Sequence, residues 1–240
     1  MGVYVYQPKG RAGEYGEWAL NLYRGCNHGC KYCYVPMIRK IKACDFHSCT
    51  DERKFNFKKL EQEIRGHSGK PLFFCFTSDP YHRGDTNLTR WAIGKCHENG
   101  VPVIILTKGG IRSDRDFDLL SRNPQLSKYG ASLTFSDFES SREWEPLAAP
   151  PLDRIASLKK AHKLGIPTWA SLEPVIDPKQ SLELIRLTSD IVDEYKVGKI
   201  NYNPVSSTID WYKFASDAVS LLEGLNKKYY IKEDLRKYLP

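Results

Sequence analysis

Cys26, Cys30 and Cys33 fall within one short run, Arg24-Gly-Cys-Asn-His-Gly-Cys-Lys-Tyr-Cys-Tyr34. Three thiolates at Cys-x3-Cys-x2-Cys spacing can wrap a single metal centre. A structural zinc wants four protein ligands. His28, between the first two cysteines, is an available fourth donor, although its place inside the loop makes a closed tetrahedron awkward. An iron–sulfur cube is normally held by four thiolates. With three, one iron stays open to another ligand, which suits catalysis better than scaffolding. Gly25 and Gly29 allow a tight backbone path around such a centre, and loop amides can bond the sulfides and tune their potential. Tyr32 places an aromatic face beside the open position.

Something must hold this loop in place. The chain has 240 residues, 41% hydrophobic and 27% charged, enough to bury the core of one α/β domain. It has no apolar run of the ~20 residues that span a bilayer, and its start lacks the apolar region of a secretory signal, so a cytoplasmic protein with no membrane partner is expected. Tyr6 stands where N-myristoylation of Gly2 would want Ser or Thr. Seven cysteines without an export signal point to a reducing interior rather than disulfides. The net charge of +7 admits a polyanionic partner without demanding one.

Short apolar runs alternate with longer amphipathic ones. Strands are expected at 18–23, leading straight into the cysteine loop, at 72–77, at 103–107, at 131–135, at 168–172 and at 195–197. Helices are expected at 87–99, ending before Gly100, at 113–120, at 152–164, at 181–191, at 208–222 and at 233–238. The proline-rich segment 139–151 reads as a long loop over the strand ends. Strands alternating with helices imply right-handed crossovers and a parallel sheet. A closed eight-fold barrel would be cramped at this length. The expected fold is therefore α/β, a partial (β/α)6 barrel of parallel strands with helices outside. It forms one domain over 1–240, with an N-terminal extension over 1–17, the barrel core over 18–200 and a C-terminal helical extension over 201–240. The cysteine loop then lies at the C-terminal end of the sheet, where ligands bind in such folds.

With Tyr32 before the last cysteine, the motif resembles the signature of the radical S-adenosylmethionine (SAM) superfamily. That resemblance implies a [4Fe-4S] cluster on Cys26, Cys30 and Cys33 and SAM chelating the fourth iron through its amino and carboxylate groups. It further implies reductive cleavage to a 5′-deoxyadenosyl radical that takes a hydrogen atom from the substrate, and an electron donor such as flavodoxin or ferredoxin. SAM's polar groups then need partners at strand ends. Asp79 suits the ammonium and Lys108 the carboxylate. Ser132 and Thr134 suit the ribose, and Glu173 the ribose or a substrate group.

A narrower likeness covers much of the chain. Gly-Cys-x3-Cys-x-Tyr-Cys-Tyr with Thr77-Ser78-Asp79, Thr107-Lys108 and Ser132 is similar to spore photoproduct lyase and the DNA repair photolyase-like clade around it. It implies that Tyr32, Ser78, Asp79, Lys108 and Ser132 hold SAM, and that the substrate is a nucleic-acid base or nucleotide. Two departures weigh against the lyase reaction itself. The lyase's hydrogen-donor cysteine directly precedes its Thr-Ser-Asp, but Phe76 stands there and Cys75 is one residue earlier. Neighbouring strand residues face opposite ways, so Cys75 reads first as a buried structural thiol and only second as a catalytic one. The motif also begins close to the start of the sequence, so the region preceding it in the lyase is not expected.

Tyr34 and Tyr81 are candidate radical relays by the same analogy, and with Tyr202 they are candidate base-stacking residues. Arg39, Lys40, Lys42, Arg53, Lys54, Lys58 and Lys59 could flank the site mouth, or form an ordinary solvated face. Cys44 and Cys49, with His47 between them, read as loop rather than metal site, and Cys96 as helix packing. Two other functions stay open: radical SAM chemistry on a peptide or small metabolite, and a non-catalytic zinc module on Cys26, Cys30, Cys33 and His28.

Overall fold

The computed structural model describes residues 3–239. Met1, Gly2 and Pro240, and with them the myristoylation question and the tips of both expected extensions, lie outside the described residues. The chain order is β1 (Val5–Tyr6), β2 (Trp18–Leu20), β3 (Tyr23–Arg24), α1 (Val35–Arg39), α2 (Ala43–Ser48), β4 (Asp51–Glu52), α3 (Phe57–Arg65), β5 (Leu72–Phe74), α4 (Asn87–Glu98), β6 (Val103–Thr107), α5 (Phe117–Arg122) and β7 (Ser127–Ser132). It continues through α6 (Phe138–Trp144), α7 (Pro151–Lys163), β8 (Thr168–Val175), α8 (Pro178–Thr188), β9 (Glu194–Lys199), α9 (Trp211–Gly224), β10 (Lys228–Ile231) and α10 (Glu233–Arg236).

One eight-stranded sheet runs in the order β1-β2-β5-β6-β7-β8-β9-β10. Every neighbouring pair from β2 onward is parallel, while β1 meets β2 antiparallel. The six expected strands are all present. Two more join them from the expected extensions. The helical extension over 201–240 is corrected by β10, which lies between α9 and α10 and pairs in parallel with β9. The loop expected over 139–151 is corrected by α6, whose first turn is closed by the Asp137 side chain accepting from the Ser140 amide. The first expected strand is in fact two: β2 ends at Leu20, and β3 pairs instead with β4 in a separate two-stranded ribbon.

Alternation sorts the strand residues between two cores. Val103 and Ile105 join the large cluster under the outer helices. Ile104 and Leu106 face the barrel interior, packed with Ala19, Phe73, Phe76, Trp169 and Tyr15. Gly130 on β7 is the notch that admits Trp169, for a Cβ there would lie 2.3 Å from the indole nitrogen. That nitrogen donates to the Ile105 carbonyl at 3.0 Å, which locks β8 across the interior to β6.

A strap ahead of β2 crosses this interior. Residues Gly10–Glu14 form a 3-10 turn, and Tyr15 drops from it onto the sheet, where its hydroxyl meets Ser171 at 2.8 Å and Glu173. Among the described residues, no helix is long and apolar enough to cross a membrane.

Candidate active site

The cysteine loop is gripped from two sides. On one flank α2 holds its first cysteine. The Cys26 amide donates to the Phe46 carbonyl at 3.1 Å, and His47 Nδ1 donates to the Cys26 carbonyl at 2.7 Å. Gly25 is required at this junction, because its φ is +74° and a Cβ would lie 2.4 Å from the Cys49 carbonyl oxygen. Cys44 and Cys49 themselves are exposed. On the other flank the segment after α6 holds the loop, with Lys31 N donating to Trp144 O at 2.9 Å and Leu147 N to His28 O at 3.0 Å.

Beneath the loop lies a buried ionic network that centres on Glu145, a residue that nothing in its local sequence singles out. Glu145 has no side-chain exposure and pairs with the equally buried Arg154 at 2.5 Å. Its other oxygen accepts from Thr134 Oγ1 at 2.9 Å and from the Tyr32 hydroxyl, and Lys108 Nζ stands 4.0 Å away. Burial alone would raise this carboxyl's pKa. Arg154 and then Lys108 outweigh burial and draw it down to about 2. Arg154 also donates to the carbonyls of Ala149 and Ser132 at 2.8 and 3.0 Å. Tyr32, Thr134 and Lys108, all singled out from the sequence, thus meet around one carboxylate, and Ser132 joins them through its carbonyl on Arg154.

Lys108 carries the site's cation. Its ammonium lies 5.5 Å from the Tyr32 ring centroid and lowers the pKa of both Cys30 and Cys33. Burial is nonetheless the stronger influence and pushes the Cys30 thiol up to about 12.

Asp79 is buried and accepts four contacts. Tyr81 N and Thr107 Oγ1 reach one oxygen at 2.8 and 2.5 Å; Lys108 N and His28 Nδ1 reach the other at 2.8 and 3.5 Å. Together the two oxygens offer about four lone-pair sites, so an incoming ammonium must displace one of these partners. His28 is spanned on both nitrogens, because its Nε2 accepts from Arg112 Nη2 at 3.0 Å. Burial lowers its pKa to about 4. The ring is thus a neutral brace between Asp79 and Arg112, which removes the fourth ligand that a zinc module needs.

The remaining candidates separate. Ser78 Oγ is buried and unpartnered except by the Cys75 thiol against which it leans. Cys75 lies in the outer core, and burial pushes its thiol up to about 12; it does not share the interior face with Phe76. Tyr81, expected as a radical relay or base-stacking residue, is fully buried with its hydroxyl on Asp116 at 3.1 Å, so its ring cannot stack on an incoming base. Tyr34 is 46% exposed and donates to the Phe76 carbonyl. Tyr202 is exposed, with Arg11 over its ring. Glu173 lies apart from the Glu145 network, bound to Tyr15 and to Lys232 Nζ at 2.7 Å.

An open, mostly parallel α/β sheet with a three-cysteine loop over its strand ends defines an α/β enzyme fold of the partial-barrel kind, although among the described residues no three His, Cys, Asp or Glu side chains are already drawn together as a metal site. The chain belongs to the radical SAM superfamily, whose family model matches residues 20–190. That superfamily uses a [4Fe-4S] cluster and SAM. Among curated relatives, an uncharacterized protein of Acidianus two-tailed virus is 26% identical over 185 residues, covering 70% of this chain and 61% of its own length. An uncharacterized protein of Methanocaldococcus jannaschii is 29% identical over 175 residues, covering 70% and 64%. The chain thus spans less than two thirds of the length of either relative. Two solved structures share the fold at 13% identity. Streptococcus suis SuiB bound to SAM has a TM-score of 0.69 over 92% of this chain and 52% of its own. A spore photoproduct lyase variant with bound SAM and dinucleoside spore photoproduct has a TM-score of 0.70 over 90% and 76%.

Proposed function

We propose that the chain binds a [4Fe-4S] cluster on Cys26, Cys30 and Cys33, cleaves SAM reductively, and abstracts a hydrogen atom from a nucleic-acid base or nucleotide. The observation that carries this reading is the loop braced on both flanks with one cation, Lys108, held beside Cys30 and Cys33. The cluster, when bound and reduced, supplies the electron that splits SAM into methionine and a 5′-deoxyadenosyl radical. The chain's own residues do the rest. Lys108 offers its ammonium to the SAM carboxylate. Ser78 offers a buried hydroxyl that otherwise has only the Cys75 thiol, and Ser132 a second hydroxyl on the next wall. Thr134 and Glu145 fix the Tyr32 ring against the loop. The preference for a nucleic acid rests on basic residues beside the loop: the exposed Arg24 and Arg39 crowd the half-buried Arg53 and lower its pKa after burial has done so.

The test is anaerobic reconstitution, chemical reduction and chromatography for 5′-deoxyadenosine, with and without oligonucleotides. Iron and sulfide at four per chain and cleavage of SAM are expected, since a cube holds that many of each. Cys30→Ala should abolish cleavage. Zinc at one per chain without iron, or reconstituted protein that never cleaves SAM, would overturn the reading.

A further inference from the structure

The region outside the cysteine loop, between it and the start of α7, holds a cavity of about 250 Å3 lined by Arg83, Arg112, Arg142, Phe138 and residues 145–150. Three arginines line it, and among the described residues no carboxylate is bound to any of their guanidiniums. Arg83 is exposed and, among the described residues, its side chain makes no bond, while its backbone is tied to Asn27. Among the described residues Arg142 has just the Phe138 ring beneath it, 5.9 Å from the centroid. Arg112 donates to Tyr81 O and His28 Nε2. A guanidinium has five N–H donors, so three of those on Arg112 are left over.

The nearby acids do not neutralise this group. Glu145 is taken by Arg154, and Glu143 pairs with Lys31. Asp79 and Asp153 attract Arg112 without binding it, and Arg83 and Arg154 repel it. Like charges crowded around one hollow raise the energy of the empty state, and a bound anion would lower it. Planar forks of this kind match phosphate oxygens. Phe138 is 48% exposed at the cavity edge, a ring on which a base can stack. The other flank of the cysteine loop carries its own crowded set, Arg24, Arg39 and Arg53. A polyanion longer than one nucleotide could therefore engage both flanks.

We propose that the Arg83–Arg112–Arg142 cavity is a phosphate site, taking a backbone phosphate of a single-stranded nucleic acid with a neighbouring base on Phe138. This rests on the nucleic-acid reading above. The test is fluorescence anisotropy with labelled oligo(dT) across a salt series, with inorganic phosphate and AMP as competitors. Arg83→Gln/Arg142→Gln should weaken oligo(dT) about tenfold. It should also flatten the slope of log affinity against log salt by about 1.4, two contacts at ~0.7 each on a single strand. Phe138→Ala should weaken binding and leave the slope alone. Both variants should cleave SAM with a chemical reductant at the wild-type rate, so failure of this site and failure of the SAM reading give different results. Displacement by inorganic phosphate assigns the cavity to the phosphate group itself; displacement by AMP alone assigns it to the nucleotide with its base. Unchanged affinity and slope in the double variant would overturn the site, as would wild-type protein that ignores oligo(dT) at low salt. So would a double variant that keeps oligo(dT) but loses reduction by flavodoxin, which would give the arginines to an acidic protein partner.

Discussion

Two buried polar networks lie in the same barrel and are built differently. The one under the cysteine loop is a full-strength ion pair, Glu145 with Arg154, sealed from solvent and bonded in turn to Tyr32, Thr134 and two carbonyls. The one in the interior is made by the strap. Tyr15 reaches Ser171 and Glu173, Lys232 bridges Glu173 and Glu14, and Lys196 donates to the Glu14 carbonyl at 2.7 Å. The first joins elements that the fold already fixes. The second depends on the short segment 10–15, which is also tied at the rim, where Arg11 pairs with Asp234 at 2.7 Å. A buried pair among fixed elements gives rigidity. The strap network instead joins a segment from ahead of β2 to β8, to β9 and to Lys232 just after β10.

Replacing Glu145 with Gln should have the largest effect. It leaves Arg154 charged, buried and without its counter-ion, at a cost on the order of 3–5 kcal/mol. Urea unfolding measures the loss, and a change under about 1 kcal/mol would erase the distinction between the networks. Lys232→Met should cost less, roughly 1–3 kcal/mol, because Glu173 keeps Tyr15 and Glu14 keeps the Glu233 amide and Tyr230. A loss equal to that of the Gln variant would make the interior network the stronger of the two.

The next prediction concerns pH. Burial lowers the Lys196 pKa from 10.5 to about 8. Between those values the folded chain has released a proton that the unfolded chain still holds, so stability rises with pH across that window. Wild type minus Lys196→Met, measured by denaturant titration, should show this rise; a flat difference would place Lys196 in water. Arg11→Ala should be the smallest, about 1 kcal/mol or less for a rim pair. It should nevertheless speed hydrogen exchange at 10–15 while leaving 26–33 unchanged. Equal changes in both segments would mean that the strap is not an independent unit.

The strands were legible where apolar, β-branched residues filled them: Val103–Thr107 is found as expected. Where packing replaced composition, the reading slipped. Strand β7 was expected at 131–135 but spans Ser127–Ser132, since its small residues are there to admit Trp169. Strand β10, Lys-Tyr-Tyr-Ile, was not expected at all, because an edge strand half open to solvent carries no apolar run. In the site, the cysteine spacing stood out because it is local in sequence, as did Lys108 and Ser78 after their strands. Glu145 and Arg154 did not, since nothing in a proline-rich stretch tells a buried acid from a solvated one. His28 was weighed as a ligand, and only its two ring contacts make it a brace.

The residues alone, then, determined the three-thiol loop, its place after a strand, and the alternation that makes a parallel sheet, because each depends on spacings of a few positions. Tertiary structure decided which charges are buried, which cations are left without acids, and that a strap from before the first parallel strand fills the interior. These are properties of distance through space, and the partners lie up to 219 positions apart in the chain.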